Sequence, residues 1–307
     1  PQRSRAQRVG RLPAHCMCSQ RCSSWQCGGC SCAVAALGVL LRPLLPAPEP
    51  LLDCRSGRGG ALDEELRWRC DFPPALDRPN GQWDRSYLQA WDAADARGLP
   101  SERPLLLYGS SILRLWEDAA ASWAPLPALS RAFGGSRTWE ALQHFGRAVA
   151  RYRPRVIVFY CGSNDVNFHA GHFGFFGLWP RIFGYREAEA AREIAGNVAA
   201  FIAAAGRLGA QVVVCSIINA PQKRISPVTE GLVRAANEAI SVACESAEHA
   251  EFVDLNPFLE DESGRPLLSL YLPDGLHYKA EAYGRIHAAL REPVMRRWAL
   301  GASWEQG

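Results

Sequence analysis

The sequence predicts an α/β protein, a three-layer α/β/α sandwich around a five-stranded parallel sheet. Short apolar runs alternate with longer helical patterns, which is typical of folds with helices on both faces of a sheet. Three of the runs (105–107, 156–159 and 212–214) are continuously apolar, as in strands that are buried on both faces. At 48% hydrophobic and 21% charged residues, the chain has enough apolar material for such a core.

The predicted elements follow one another from about residue 83. A helix over 87–96 comes first. The strands are expected at residues 104–108, 129–133, 155–161, 211–217 and 251–255. The later helices are expected at residues 138–152, 187–208, 228–246 and 279–290. In an open parallel sheet, functional groups collect at the carboxyl ends of the strands, so the residues that follow each strand are the candidates for function.

The first 50 residues differ from the rest of the chain. Residues 1–48 contain six Arg and no Asp or Glu, and six of the eleven cysteines lie between positions 16 and 32. The apolar run 33–41 is too short to span a membrane. These features predict a disordered head that resembles a signal or transit segment, with structural zinc and palmitoylation as alternatives. Residues 51–80 are predicted to form a linker, and residues 81–300 one folded domain.

The charge distribution and the lysine content argue against two classes of function, nucleic-acid binding and P-loop nucleotide binding. The formal net charge of +3 comes from the head, because residues 49–307 carry 28 basic and 31 acidic side chains. The predicted domain therefore has no basic excess for a nucleic acid, and no nucleic-acid partner is expected. The chain has only two lysines, Lys223 and Lys279, and neither follows a glycine, which excludes a P-loop nucleotide site.

Polar residues follow three of the predicted strands directly, and a fourth polar group lies in the C-terminal loop. We expect these groups to lie close together at one edge of the sheet. Ser111 can act as a nucleophile and His277 as the base that takes its proton, while Asp274 can orient the imidazole. The four segments are Gly109–Ile112, Gly134–Ser136, Gly162–Asp165 and Asp274–His277.

The same segments contain candidate donors for an oxyanion. The backbone N–H groups of Ser111 and Gly135 and the side-chain amide of Asn164 can stabilise the oxygen of a tetrahedral intermediate. Glycine suits position 135, because a missing Cβ lets the backbone approach a substrate closely. Taken singly, each group also has a plain structural interpretation, since serine caps helices and an Asn–Asp pair forms turns. Their occurrence together favours catalysis.

In this order, the four segments resemble the sequence blocks of the SGNH hydrolases, also called the GDSL esterase/lipase family. The resemblance covers roughly residues 83–295. It implies an SGNH or flavodoxin-like sandwich and makes residues 81–300 the catalytic domain. It also implies catalytic residues Ser111, Asp274 and His277, with an oxyanion hole formed by Ser111, Gly135 and Asn164.

Two positions near Ser111 define how the chain differs from related patterns. The first block of the family has Asp where this chain has Ser110, so the nucleophile Ser111 is kept and the carboxylate beside it is replaced by a hydroxyl. Leu113 stands where the GxSxG elbow of the α/β-hydrolases has its second glycine, and that fold is therefore disfavoured.

The sequence thus predicts a serine esterase that works through an acyl-enzyme and needs no metal or other cofactor. A small-molecule, lipid or carbohydrate ester is the expected substrate. Two alternatives stay open: an acyltransferase that uses the same acyl-enzyme, and a catalytically silent binding module.

A long aromatic segment follows Asn164. Seven of the 18 residues from 168 to 185 are aromatic. One interpretation is an apolar flap in which Phe175, Phe176 and Trp179 bind the substrate or contact a membrane surface, as the N-terminal head could also do. The other is a loop that packs on itself over the edge of the sheet.

Overall fold

The computed structural model describes residues 83–98, 103–170 and 187–301. The predicted head, the linker and the aromatic residues Phe175, Phe176 and Trp179 lie outside the described residues. The strands are Leu105–Gly109 (β1), Ala128–Ser130 (β2), Val156–Tyr160 (β3), Gln211–Cys215 (β4) and Ala250–Val253 (β5). The helices are Trp83–Asp95 (α1), Ser111–Arg114 (α2), Thr138–Gln143 (α3), Phe145–Ala148 (α4), Ser163–His169 (α5), Glu187–Arg207 (α6), Pro227–Glu245 (α7), Asn256–Leu259 (α8) and Ala280–Gly301 (α9).

The five strands form one sheet in the order β2-β1-β3-β4-β5, and every pair is parallel. From β1 the chain passes to β2 at one edge of the sheet and then crosses to β3 on the other side of β1. This change of direction leaves a crevice at the carboxyl ends of β1 and β3, where open α/β sheets bind ligands. The predicted α/β fold with a five-stranded parallel sheet is confirmed.

Helices cover both faces of the sheet. Successive side chains of a strand point to opposite sides, and the central strands are apolar on both sides, so each face packs against helices. Leu106, Ile157 and Val212 belong to an apolar cluster that includes buried residues of α6 and α7. Their sequence neighbours Leu107 and Val158 belong to a second cluster, which includes buried residues of α9. The strands are therefore buried on both faces, as the continuous apolar runs predict.

Several element boundaries differ from the sequence-based expectation, and three of the differences have a structural reason. The helix expected over 138–152 is divided into α3, α4 and a 3-10 turn, although its apolar positions stay buried, so periodicity did not reveal the breaks. Strand β2 is assigned only to residues 128–130, while Arg131 and Phe133 continue its backbone hydrogen bonds to β1. Helix α9 continues to residue 301 past Pro293, because Val294 is still packed in the core.

Candidate active site

The turn from β1 into α2 brings Ser111 to the crevice. Gly109 has a φ of +137°, and a Cβ there would lie 1.9 Å from the carbonyl oxygen of Tyr160 in β3. Only glycine allows this approach. The N–H of Ser110 donates to the same carbonyl at 2.9 Å, which fixes the point where the strand ends. Ser111 is then the first residue of α2, and its own N–H is not needed for hydrogen bonds inside that helix.

Ser111, His277 and Asp274 lie in one hydrogen-bonded line. The Oγ of Ser111 is 2.9 Å from Nε2 of His277, and Nδ1 of the same ring is 2.6 Å from Oδ2 of Asp274. An ionised carboxylate can only accept a hydrogen bond, so Nδ1 carries the proton and Nε2 is left to accept from the hydroxyl. Ser111 is buried and His277 is partly exposed, so the line runs from the protein interior to the surface.

The turn that carries Asp274 also controls its ionisation. Its Oδ1 accepts from the backbone N–H groups of Leu276 and His277, both at 3.0 Å. Partial burial raises the pKa of the Asp274 carboxyl, but the hydrogen bonds from His277 and Leu276 outweigh burial and hold that pKa below its ordinary value. Asp274 therefore stays ionised beside the imidazole.

Gly135 and Asn164 lie on two segments that the structure joins. The side-chain amide of Asn164 donates to the carbonyl oxygen of Ser136 at 2.9 Å, which ties α5 to the turn after β2. An amide nitrogen has two hydrogens, so one remains for a further acceptor. Gly135 has a φ of +77°, and the space where a Cβ would project is open. The structure thus places Gly135 and Asn164, two of the predicted oxyanion donors, on segments that a hydrogen bond joins.

Asp165 is a structural member of the site to which the sequence pattern assigned no role. Its carboxylate is buried and accepts from both the backbone N–H and the hydroxyl of Thr138, the latter at 2.7 Å. Burial raises the pKa of Asp165 to about 6, although the hydrogen bonds from Thr138 lower it. These bonds connect α5 to the start of α3, directly after the turn that holds Gly135. The sequence feature that could have identified Asp165 is its position next to Asn164 in the segment Gly162–Asp165.

Ser110 occupies the position where the family has Asp, and its side chain has no hydrogen-bond partner among the described residues. The residue is 1% exposed. A buried hydroxyl without a partner contributes nothing that alanine would lose.

We therefore expect Ser110→Ala to change the free energy of unfolding by less than about 1 kcal/mol and to leave ester turnover near the wild-type value. Denaturant unfolding and steady-state hydrolysis measure both quantities. A large loss of turnover in a folded Ser110→Ala protein would assign this hydroxyl a part in the reaction.

The remaining predictions about the surroundings of the site concern a metal ion, a membrane and the aromatic segment after Asn164. Within residues 83–98, 103–170 and 187–301, no group of three or more His, Cys, Asp or Glu is arranged to hold a metal ion. Of the helices in the described part of the chain, none is both long enough and apolar enough to cross a bilayer. The aromatic contact with substrate or membrane stays a prediction.

The model of the GDSL-like Lipase/Acylhydrolase family matches residues 104–285, which is more than half of the chain. The chain belongs to this family. Among curated protein sequences, no match was found.

Solved structures share the fold at low sequence identity. A GDSL-like lipase from Bacteroides thetaiotaomicron is 19% identical with a TM-score of 0.54, and the match covers 68% of this chain and 97% of the other. An acylhydrolase-like protein from Bacteroides fragilis is 18% identical with a TM-score of 0.55, over 72% of this chain and 100% of the other. At these identities the likeness shows the fold, and the chain is a GDSL/SGNH-type hydrolase by family.

Proposed function

We propose that this protein is a carboxylic ester hydrolase that works through an acyl-enzyme on Ser111. The observation that carries the proposal is the hydrogen-bonded line from Ser111 Oγ through both nitrogens of His277 to Asp274, with distances of 2.9 and 2.6 Å. This is the arrangement that a serine nucleophile needs, because the base is in contact with the hydroxyl and is itself held by an acceptor.

In the acylation step, Ser111 Oγ forms a bond to the ester carbonyl carbon while its proton passes to Nε2 of His277. Asp274 stabilises the imidazolium that results. The tetrahedral intermediate then collapses, and the alcohol leaves with the proton from His277. The Ser111 hydroxyl has become an ester of the acyl group.

In both tetrahedral intermediates the former carbonyl oxygen carries negative charge. The backbone N–H groups of Ser111 and Gly135 and the second amide hydrogen of Asn164 are the proposed donors. Donors that are already oriented need no rearrangement as the charge develops, which is why such a group is worth several kcal/mol in a protein site.

In the deacylation step, His277 removes a proton from water, and the water oxygen bonds to the acyl carbon. The acid is released and the proton returns to Ser111. These steps use only side chains and backbone groups of this chain.

A fluorophosphonate probe tests the proposal, because it bonds covalently to an activated serine. The wild-type protein should be labelled at one residue, and Ser111→Ala should not be labelled. A short-chain ester assayed in parallel should be hydrolysed by the same preparation. Absence of Ser111-dependent labelling would overturn the proposal and favour a binding module. Product analysis with an added alcohol acceptor separates hydrolysis from acyl transfer.

A further inference from the structure

Lys223 is a fully buried lysine close to the candidate site. It lies in the 3-10 turn Pro221–Ile225, which follows β4, and its side chain is 0% exposed. The Nζ atom donates to the carbonyl oxygen of Ser163 at 2.9 Å and to Oδ1 of Asn167. Both acceptors belong to the first turns of α5, one on each side of Asn164 along the chain. Lys223 therefore holds the segment that presents the Asn164 amide.

Burial at this position is unfavourable for the charged amine of Lys223, because the amine loses its contact with water. Burial lowers the pKa of Lys223 to about 7, and the negative charge of Asp165 opposes that effect. The two oxygens that Lys223 contacts are both neutral, so they do not compensate for its desolvation as an ion pair would. A methionine could fill a similar volume without this cost. A lysine here is therefore best explained by what its hydrogen bonds hold in place.

The same short turn contacts the loop that carries the other half of the site. The N–H of Gln222 donates to the carbonyl oxygen of Gly275 at 2.9 Å, and Gly275 directly follows Asp274. The side-chain oxygen of Gln222 also accepts from Nδ2 of Asn167 at 3.4 Å. Residues 221–225 thus contact both the helix of Asn164 and the loop of Asp274 and His277.

We infer that Lys223 is a positioning residue that keeps the oxyanion amide of Asn164 in register with the Ser111–His277–Asp274 line. This inference rests on the proposed function. The hydrogen bond from Asn164 to the oxyanion forms in the transition state, so its misalignment lowers kcat with little change in KM. A displacement of about 1 Å at such a group can cost on the order of 100-fold in rate.

The test compares the only two lysines of the chain. Lys223→Met removes the buried donor. Lys279→Met is the matched control, because Lys279 also donates to a backbone carbonyl, that of Ser269 at 2.9 Å, but is exposed. Fluorophosphonate labelling counts the reactive sites in each preparation, and kcat and KM for a short-chain ester are then expressed per labelled site.

Lys223→Met should lower kcat per labelled site by about 30- to 100-fold while KM stays within about twofold. Lys279→Met should match the wild type. Equal kcat per labelled site in Lys223→Met and the wild type would overturn the inference, because a purely structural role reduces the number of sites and not the rate at each one. The proposed function fails separately, if the wild type shows no Ser111-dependent labelling.

If Lys223→Met does not fold, Asn167→Ala provides a milder form of the same test. It removes one of the two acceptors of Lys223 and leaves the carbonyl oxygen of Ser163 in place. We expect a decrease in kcat per labelled site of about tenfold, again without a matching change in KM. An unchanged kcat per labelled site in folded Asn167→Ala would overturn the inference.

Discussion

Ser111→Ala should reduce the turnover of a short-chain ester by at least ~10³-fold, because it removes the proposed nucleophile. The Oγ atom is the one that lies 2.9 Å from Nε2 of His277, and no backbone group is altered by the change. Binding of the substrate should persist, so the loss falls on kcat. Steady-state hydrolysis measures the effect, and circular dichroism with denaturant unfolding shows that the variant is folded.

Ser110→Ala is the matched control for this change. Both serines are buried and adjacent, but the Oγ of Ser110 has no hydrogen-bond partner among the described residues. If Ser111→Ala kept turnover within about tenfold of the wild type, the nucleophile would have to lie elsewhere, since loss of a triad member usually costs far more. Ser110 would then be the first residue to test, through the double variant.

The fold could be predicted because three central strands are buried on both faces. Their continuous apolar runs place β1, β3 and β4 within two residues of the observed bounds. Edge strand β2 carries a weaker pattern, since its three residues are only half-buried, and its predicted range began one residue late and continued past its end. The breaks between α3, α4 and the following turn were not predictable from periodicity, because burial continues across them.

The candidate site could be predicted as a set of segments, since each segment follows a strand or lies in the C-terminal loop. The contact between Ser111 and His277, which are 166 positions apart, was expected from chemistry rather than from any local pattern. Lys223 was missed because a lysine in a polar turn normally points into solvent. Its burial depends on how α5, the 221–225 turn and α7 pack together, and a single sequence carries no sign of that packing.

The second large effect is expected at Asp274. In Asp274→Asn, the amide oxygen can keep the place of Oδ1, where it accepts from the N–H groups of Leu276 and His277. The amide nitrogen then takes the place of Oδ2 and presents hydrogens to Nδ1 of His277. The imidazole has to move its proton to Nε2, so it can no longer accept the proton of Ser111. We expect kcat to fall by about 10³- to 10⁴-fold, as for the wrong histidine tautomer in a serine triad.

Asp261→Asn is the matched control for Asp274→Asn. It shows whether kcat falls merely because an aspartate that stabilises a turn has been changed to asparagine. The Oδ1 atom of Asp261 accepts from the N–H groups of Ser263 and Arg265 at 2.9 and 3.0 Å, in an exposed loop. The side-chain partners of its carboxylate are the Ser263 hydroxyl and the Arg265 guanidinium, not an imidazole. Both variants lose one negative charge and keep the turn, but only Asp274→Asn changes the tautomer of His277. Asp261→Asn should therefore keep wild-type kcat. If folded Asp274→Asn kept more than about a tenth of the wild-type kcat, Asp274 would not be the residue that orients the base, because that role is worth far more than tenfold.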